Sequence, residues 1–447
     1  MPSTLIDSNI YKDLFGTEEM RNIFSDDSYV DRCVVVERAL AKAQGTIGVI
    51  PKEAAEVIAQ KATPEAIDRD VLKSDMEIVG RVIAPTVKQL TAACGEHGAY
   101  VHWGATTQDI MDTVVVLQIR DAFSVIDRDV NELIRILKKL SHEHRDTLMA
   151  GRTAGQQALP TTFGLKTVVW LEELLRHQER ISQCKPRVLV GQFGGAVGTL
   201  ASLEDKGLLV QAELMKELNL DQPLVTWHSS RDRFVEVCLL LTMMTATLGK
   251  IANEIGILMR TEVAEVFEGY VPGRGSSSTM PQKRNPRFAE FIPGISKLSN
   301  HNAGLMLEAM SREHERSGPP WIAEWAALPQ IFILTGGALK LSIDMLNGID
   351  VRKNRMRQNL EETKGLILSE AVMMALAPYL SRLGAKKIVS EACARSLKDD
   401  KHLREILLSM PEVTEHLSNK QLDQLFDPAN YIGMAGEIID QALKRAN

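Results

Sequence analysis

From Phe234 onward the apolar residues Val237, Leu241, Met244, Leu248, Ile251, Ile255 and Leu258 follow one another in alternating steps of four and three. That spacing is a heptad seam, and it predicts a helix over Phe234–Leu258. A second stripe through Val115, Ile119, Ala122, Ile126, Val130, Leu133, Leu137 and Leu140 keeps to one helical face and predicts another long helix. Period-two alternation is hard to find, so the chain reads as all-α. Helices of roughly 30 residues are ~45 Å long at 1.5 Å per residue, a length suited to a bundle. The heptad seam alone would also fit a coiled coil. However, Leu239, Leu240, Met243, Ile257 and Met259 beside it are apolar too, which predicts a core helix buried on more than one side that continues into a subunit interface.

Between these helices lie stretches rich in Gly, Ser, Thr and Pro: Gly104–Gln108, Gly151–Thr162, Gly191–Thr199, Val271–Pro286 and Ser317–Pro329. They read as loops, the usual place for chemistry on a rigid scaffold. After Lys364 the pattern is that of a smaller helical end domain. The 447 residues suit about three structural units at ~150 residues each. Hydrophobic residues make up 45% and charged residues 25%, enough apolar surface to build a large core. The net charge of −6 argues against a partner that is nucleic acid or an anionic membrane, while leaving room for a local cationic pocket. The five cysteines are scattered and never form a Cys-x-x-Cys pair, so neither a disulfide framework nor a structural zinc is expected and a reducing compartment fits. Met1–Phe15 has no secretory pattern, and the uncharged run Val237–Gly249 is too short to span a bilayer. The expectation is a soluble, cytoplasmic protein.

The stretch most informative about chemistry is Gly275-Ser276-Ser277-Ser278-Thr279-Met280-Pro281-Gln282-Lys283-Arg284-Asn285-Pro286. It sets three serines on a glycine-flanked loop ahead of a cation and an amide. Serine near positive charge loses its proton more easily, and Lys283 with Asn285 is suited to grip a carboxylate. The plain alternative is a polar linker before a helix that begins near Arg287. Gly191–Gly198 also contains several glycines, but it lacks the spacing and the strand-then-helix context of a dinucleotide loop.

The Gly275–Pro286 stretch resembles the signature loop of the fumarase/aspartase superfamily, Gly-Ser-Ser-x-Met-Pro-x-Lys-x-Asn-Pro, matching at Met280, Pro281, Lys283, Asn285 and Pro286. Ser276 stands where the family has glycine, with Gly275 one place earlier. His102-Trp103-Gly104-Ala105-Thr106-Thr107-Gln108-Asp109 with Asp112-Thr113, and Gly151-Arg152-Thr153 with Gln156 and Ala158, are similar to the family's other substrate-binding segments. The resemblance spans the whole chain. It implies a three-domain all-α fold: an N-terminal domain (1–112), a central long-helix bundle (113–363) that forms a tetramer core, and a C-terminal helical domain (364–447). Each active site of the homotetramer would draw on three subunits. The implied chemistry is removal of a proton beside a carboxylate to give an aci-carboxylate, followed by expulsion of a β-substituent, or the reverse addition. That reaction calls for fixed donors and cations; no metal and no cofactor are expected.

Carried over residue by residue, the resemblance makes Ser277 the base, Ser278 its neighbour in the pair, and His102 a further catalytic candidate. Thr106, Thr107, Gln108, Arg152, Gln156, Lys283, Asn285, His314 and Arg316 become candidates for binding a small polycarboxylate. His314 and Arg316 sit in a charge cluster, Arg312–Arg316, that would otherwise read as a solvated helix end. His228 beside Trp227 reads as an anchor that orients Arg231. Many carbon–nitrogen lyases of the superfamily carry histidine directly after Gly-Arg-Thr; this chain has Ala154. The neighbourhood, from Gln156-Gln157-Ala158 through Gln192–Gly198 to Trp321, Glu324-Trp325 and Leu328-Pro329, is similar instead to the 3-carboxy-cis,cis-muconate cycloisomerases. The expected activity is addition of a carboxylate across a double bond to close a lactone. The alternatives are a fumarate-releasing carbon–nitrogen lyase of the adenylosuccinate or amino-dicarboxylate type or, less in keeping with an intact Ser277, Lys283 and Asn285, a structural protein of the crystallin type.

Overall fold

The computed structural model describes residues 4–446. Helices dominate the described residues, and the long ones are Asp26–Ile47, Thr107–Glu143, Phe163–Val188, Asp232–Leu258, Arg287–Glu308, Gly318–Asn347 and Ser369–Asp399, the last kinked at Ser381. The two periodic stripes are thus helices, the first beginning two residues earlier and the second running past the stripe at both ends. Val237, Leu241, Met244, Leu248, Ile251, Ile255 and Leu258 are all buried, as are Ile119, Ala122, Ile126, Val130, Leu133, Leu137 and Leu140. Of the flanking apolar residues, Met243 and Ile257 are exposed in the single chain and Leu239 and Leu240 are half-buried.

The chain forms two compact units. One holds the residues up to Val130, His177–Gly249 and Phe291–Leu341; the other holds Asn131–Arg176, Lys250–Glu290 and the residues from Ser342 on. In the first unit the long helices touch through small and polar residues. Thr242 Oγ1 lies 3.1 Å from Ser299 Oγ, His177 Nε2 lies 2.9 Å from Thr247 Oγ1, and Asn302 donates to Gln330 at 3.2 Å. A Cβ on Gly249 would meet Ser296 at 3.2 Å, so the Asp232–Leu258 and Arg287–Glu308 helices approach closely there. A separate apolar cluster in this unit gathers the Asp26–Ile47 helix, with Cys33, Val36 and Leu40, against Ile110, Val114, Phe193, Leu214 and Trp321.

Two of the stretches read as loops are regular structure. Gly151–Thr162 lies mostly in a β-hairpin, Leu148–Thr153 paired antiparallel with Gln156–Thr162. An irregularity between Ala150 and Arg152, and Pro160 opposite Ala150, break the alternation that would have announced it. Ala154 (φ +51°) and Gly155 (φ +79°) form its turn, the left-handed pair a two-residue hairpin requires. Ser317–Pro329 mostly belongs to the Gly318–Asn347 helix. Pro319 and Pro320 fall in its first turn, where backbone N–H groups have no partner to lose.

The uncharged run Val237–Gly249 is part of the 27-residue Asp232–Leu258 helix, which is long and apolar enough to cross a membrane, as are Gly318–Asn347 and Leu366–Asp399. The short-span reading is therefore corrected: the run is uncharged over a short distance, but the helix is not short. Most of the apolar window of the first two is buried within the protein. All five cysteines are free thiols, and four of them are buried.

Candidate active site

In the first unit one carboxylate organises the segments that the sequence singles out. Asp109 is fully buried at the third position of the Thr107–Glu143 helix. It accepts from Thr106 N (3.0 Å), Gly194 N (2.8 Å), Gly195 N (2.9 Å) and His228 Nε2 (2.8 Å). Thr106-Thr107-Gln108-Asp109 is thus half of a capping box, the acid returning to the N–H that precedes the helix. The same carboxylate folds the glycine-rich segment around itself. Gly198 has φ +87°, and a Cβ there would sit 2.2 Å from Thr226. These glycines serve close packing, and Gln192, Thr226 and His228 complete the ring: Gln192 donates to Thr226 Oγ1 at 2.7 Å and accepts from Trp227 N at 2.9 Å.

One turn along the same helix, Asp112 pairs with Arg231 through two bonds of 2.6 and 2.9 Å. Arg231 also reaches Glu324 at 2.7 Å, stacks within 5.1 Å of Trp227 and 4.8 Å of Phe234, and is fully buried. Arg312 pairs with the same Glu324 and its side chain is 1% exposed. The charge cluster at 312–316 is therefore no solvated helix end throughout: Arg312 turns inward because Glu324 is there to neutralise it. Gln108 is buried, donating to Asp112 (3.0 Å) and to the His228 carbonyl (2.9 Å). Its oxygen accepts from Arg316 Nε at 3.1 Å, and Arg316 also donates to the Ala196 carbonyl at 3.0 Å. So His228 anchors the loop through Asp109, while Arg231 is fixed by Asp112 and Glu324.

His102 stands at φ +61° just before Gly104. Its Nδ1 lies 2.6 Å from Glu37 Oε1, a carboxylate buried in the Asp26–Ile47 helix. Burial pushes the imidazole down, but the Glu37 charge and hydrogen bond, with Asp109 adding to them, outweigh it and hold His102 above the ordinary histidine value. Thr106 and Thr107 are half-buried beside this turn, and His314 is exposed at φ +50°.

The second unit holds the serine loop. Its ends are pinned where Asn285 N donates to the Gly275 carbonyl at 2.8 Å and Ser276 bridges Arg284. Gly275 has φ +64°, and a Cβ there would fall 2.2 Å from the Asn285 oxygen. This explains the displaced glycine: the residue that closes the loop is Gly275. Ser277 Oγ accepts from both Thr279 N (3.2 Å) and Met280 N (3.0 Å), whereas Ser278 Oγ has Thr279 Oγ1 at 3.4 Å. Two N–H groups aimed at one hydroxyl oxygen favour its deprotonated form, and of the two neighbouring serines it is Ser277 that has them. Lys283 is exposed on the same loop and Asn285 is half-buried.

Arg152 is committed elsewhere. It binds the fully buried Glu265 through two bonds of 2.7 and 3.0 Å, and Asn359 donates to the same carboxylate at 2.7 Å. The hairpin is thereby tied to the segment that leads into the serine loop, while its tip, Thr153 to Gln156, is exposed. Among the described residues no three His, Cys, Asp or Glu side chains gather to hold a metal ion.

The structure thus gathers His102, Thr106, Thr107, Gln108 and Arg316 around the 104–109 turn of one unit. In the other unit Ser277, Ser278, Lys283 and Asn285 share one loop. Sequence reasoning missed Glu37 and Glu265. Glu37 left a signal, a single acid on the otherwise apolar face of Cys33, Leu40 and Ala41; Glu265 left none of that kind.

Comparison with known proteins places the chain in a family. Residues 15–297 match the lyase family, and residues 365–442 match the adenylosuccinate lyase C-terminus family. The chain is 43% identical over 445 residues to a 3-carboxy-cis,cis-muconate cycloisomerase of Acinetobacter baylyi, covering 98% of this chain and 99% of the relative. It is 40% identical over 447 residues to an N-acetyl-S-(2-succino)cysteine lyase of Dickeya dadantii, covering 100% of this chain and 98% of the relative. The crystal structure of the 3-carboxy-cis,cis-muconate lactonizing enzyme from Pseudomonas putida superposes with a TM-score of 0.94 at 39% identity, over 98% of this chain and 99% of that one. With matches that run the length of the chain, the protein belongs to the lyase family of the fumarase/aspartase superfamily.

Proposed function

We propose that the protein is a cycloisomerase that closes a lactone on a 3-carboxymuconate-like polycarboxylate. In the forward direction a substrate carboxylate oxygen adds to one carbon of the double bond. The electron pair moves onto the carbon beside a second carboxylate, giving an aci-carboxylate, and the Ser277 hydroxyl delivers the proton to that carbon. In reverse, the Ser277 alkoxide removes this proton and the lactone oxygen departs as a carboxylate. The two N–H groups on Ser277 Oγ support its role as the base, and Lys283 and Asn285 on the same loop suit the accumulating negative charge. In the first unit Arg316, held by Gln108, and His102, Thr106, Thr107 and His314 are the candidates to bind substrate carboxylates, and in the second unit Gln156 at the hairpin tip is a further candidate. Gln108 and Arg152 act mainly by fixing their neighbours, since their polar atoms are already engaged.

The observation that carries this reading over its alternative is Ala154, exposed at the hairpin tip. A carboxylate leaves as a stable anion, its conjugate acid having a pKa of about 4, and needs no proton. An amine leaving group does need one, and a lyase keeps an acid at hand to supply it. The second reading is a fumarate-releasing carbon–nitrogen lyase with His102 or His314 as the acid, and the similarity to the Dickeya lyase favours elimination chemistry in general. We further propose that the protein works in the cytoplasm as a homotetramer, with the exposed Met243 and Ile257 of the Asp232–Leu258 helix in the subunit contact.

Incubation with 3-carboxy-cis,cis-muconate, adenylosuccinate and N-acetyl-S-(2-succino)cysteine, followed by ultraviolet absorbance, tests the choice. Lactonisation without efficient fumarate release is expected. Rapid fumarate release that is abolished by His102→Ala or His314→Ala would favour the lyase instead. Light scattering should give four chains; an active monomer would refute a shared site.

A further inference from the structure

Glu37 lies in a buried helix face with Cys33, Val36, Leu40 and Ala41, all apolar or small, around it. A carboxylate is costly in such a place unless it is paired. Its Oε1 is 2.6 Å from His102 Nδ1, while its Oε2 is buried with no hydrogen-bond partner. The imidazole is therefore the group that compensates the charge. His102 in turn adopts a left-handed backbone at φ +61°, which costs free energy in a residue with a Cβ. Both expenses converge on one contact. The Glu37 side chain is sealed from solvent, whereas that of His102 is 19% exposed, so the ring is gripped from behind and open in front.

We infer that Glu37 is the positioning residue of the site: it fixes the His102 ring through Nδ1 and so presents Nε2–H to a substrate carboxylate. The bond to Glu37 selects the tautomer, because a carboxylate accepts and Nδ1 must then carry a hydrogen. Nε2 is then the ring nitrogen left for a ligand. The charged groups acting on the ring are Glu37 from the Asp26–Ile47 helix and Asp109 from the Thr107–Glu143 helix. Both are acids, so both favour the imidazolium, and burial opposes them. A cationic Nε2–H complements a polycarboxylate through a charge-assisted hydrogen bond. This assignment rests on the proposed polycarboxylate substrate, and its test separates the two.

Titration of His102 by NMR in the full-length protein with labelled histidine, its signal identified by loss in His102→Gln, needs no substrate. The wild-type ring should titrate above the ordinary value of about 6.5, and Glu37→Gln, which keeps the shape and removes the charge, should move the titration to lower pH. In parallel, kcat/KM for lactonisation should fall as pH rises through the His102 titration. The ratio of wild type to Glu37→Gln should lie near one at pH 6 and rise to about tenfold at pH 8, which corresponds to about 1.4 kcal/mol between the two protonation states. A wild-type His102 that titrates at or below the ordinary value overturns the inference, even if the variant fails to fold. So does a Glu37→Gln enzyme that loses activity equally at every pH with its titration unmoved. If His102 titrates as expected but muconate is not turned over, the dyad stands and the substrate reading falls.

Discussion

Asp109→Asn is the change through which the fold and the site can be weighed together. The side chains have the same shape and the residue is fully buried, so packing is preserved and only hydrogen bonding changes. One carboxylate oxygen receives Gly194 N and His228 Nε2, the other Thr106 N and Gly195 N. An asparagine must turn its NH2 toward one of these pairs. Facing Thr106 and Gly195, it sets a donor against two backbone donors. Facing Gly194 and His228, it sets a donor against one backbone donor, and the imidazole escapes only by changing tautomer. One or two charge-assisted bonds are lost, at about 1.5–3 kcal/mol each, so the variant should lose roughly 1.5–6 kcal/mol. Urea unfolding at a fixed protein concentration measures this, since oligomer stability depends on concentration. Asp121→Asn serves as the control: Asp121 pairs with Arg32 at the partly exposed surface, and its loss should cost less than about 1 kcal/mol. If Asp109→Asn costs no more than Asp121→Asn, the carboxylate does not hold the glycine-rich segment and the site's foundation is wrongly placed.

Ser277→Ala should lower kcat by about 10²–10⁴-fold with the fold intact, while Ser278→Ala should stay well above it; the reverse order, in steady-state kinetics with circular dichroism as control, would move the base by one residue. Lys283→Met should cost roughly 1.5–3 kcal/mol of transition-state stabilisation, read as a higher KM and lower kcat, and an unchanged KM would assign Lys283 to loop structure. Gly275→Ala drives a Cβ to 2.2 Å from the Asn285 oxygen; the shifted loop should lose about a hundredfold in kcat/KM with little change in unfolding temperature.

The helical part of the fold was legible because its signal is repeated. The seam from Val237 to Leu258 offers seven apolar positions in register, and all seven are buried. Where a few residues decide the structure, the pattern failed. The hairpin was hidden because Pro160 and the irregularity after Ala150 spoil its alternation, and its turn uses Ala154 where glycine or asparagine would have advertised it. Pro319 and Pro320 looked like loop residues because proline both breaks helices and begins them. In the site, Ser277, Lys283 and Asn285 were legible as neighbours on one short loop. Glu37 and Glu265 were not, because each meets its partner across a long stretch of chain: Glu37 meets His102, and Glu265 meets Arg152. Sequence spacing carries no record of such contacts. The polar commitments of Gln108 and Arg152 were invisible for the same reason.

The central claim is that this site adds a carboxylate across a double bond and delivers the proton from a group that exchanges with solvent. The most direct measurement is proton NMR of 3-carboxy-cis,cis-muconate incubated with the enzyme in deuterated water. The account predicts conversion to a lactone with one solvent deuterium on the carbon beside the carboxylate, strongly slowed by Ser277→Ala. An unchanged muconate spectrum, alongside rapid release of fumarate from adenylosuccinate or N-acetyl-S-(2-succino)cysteine under the same conditions, would contradict it.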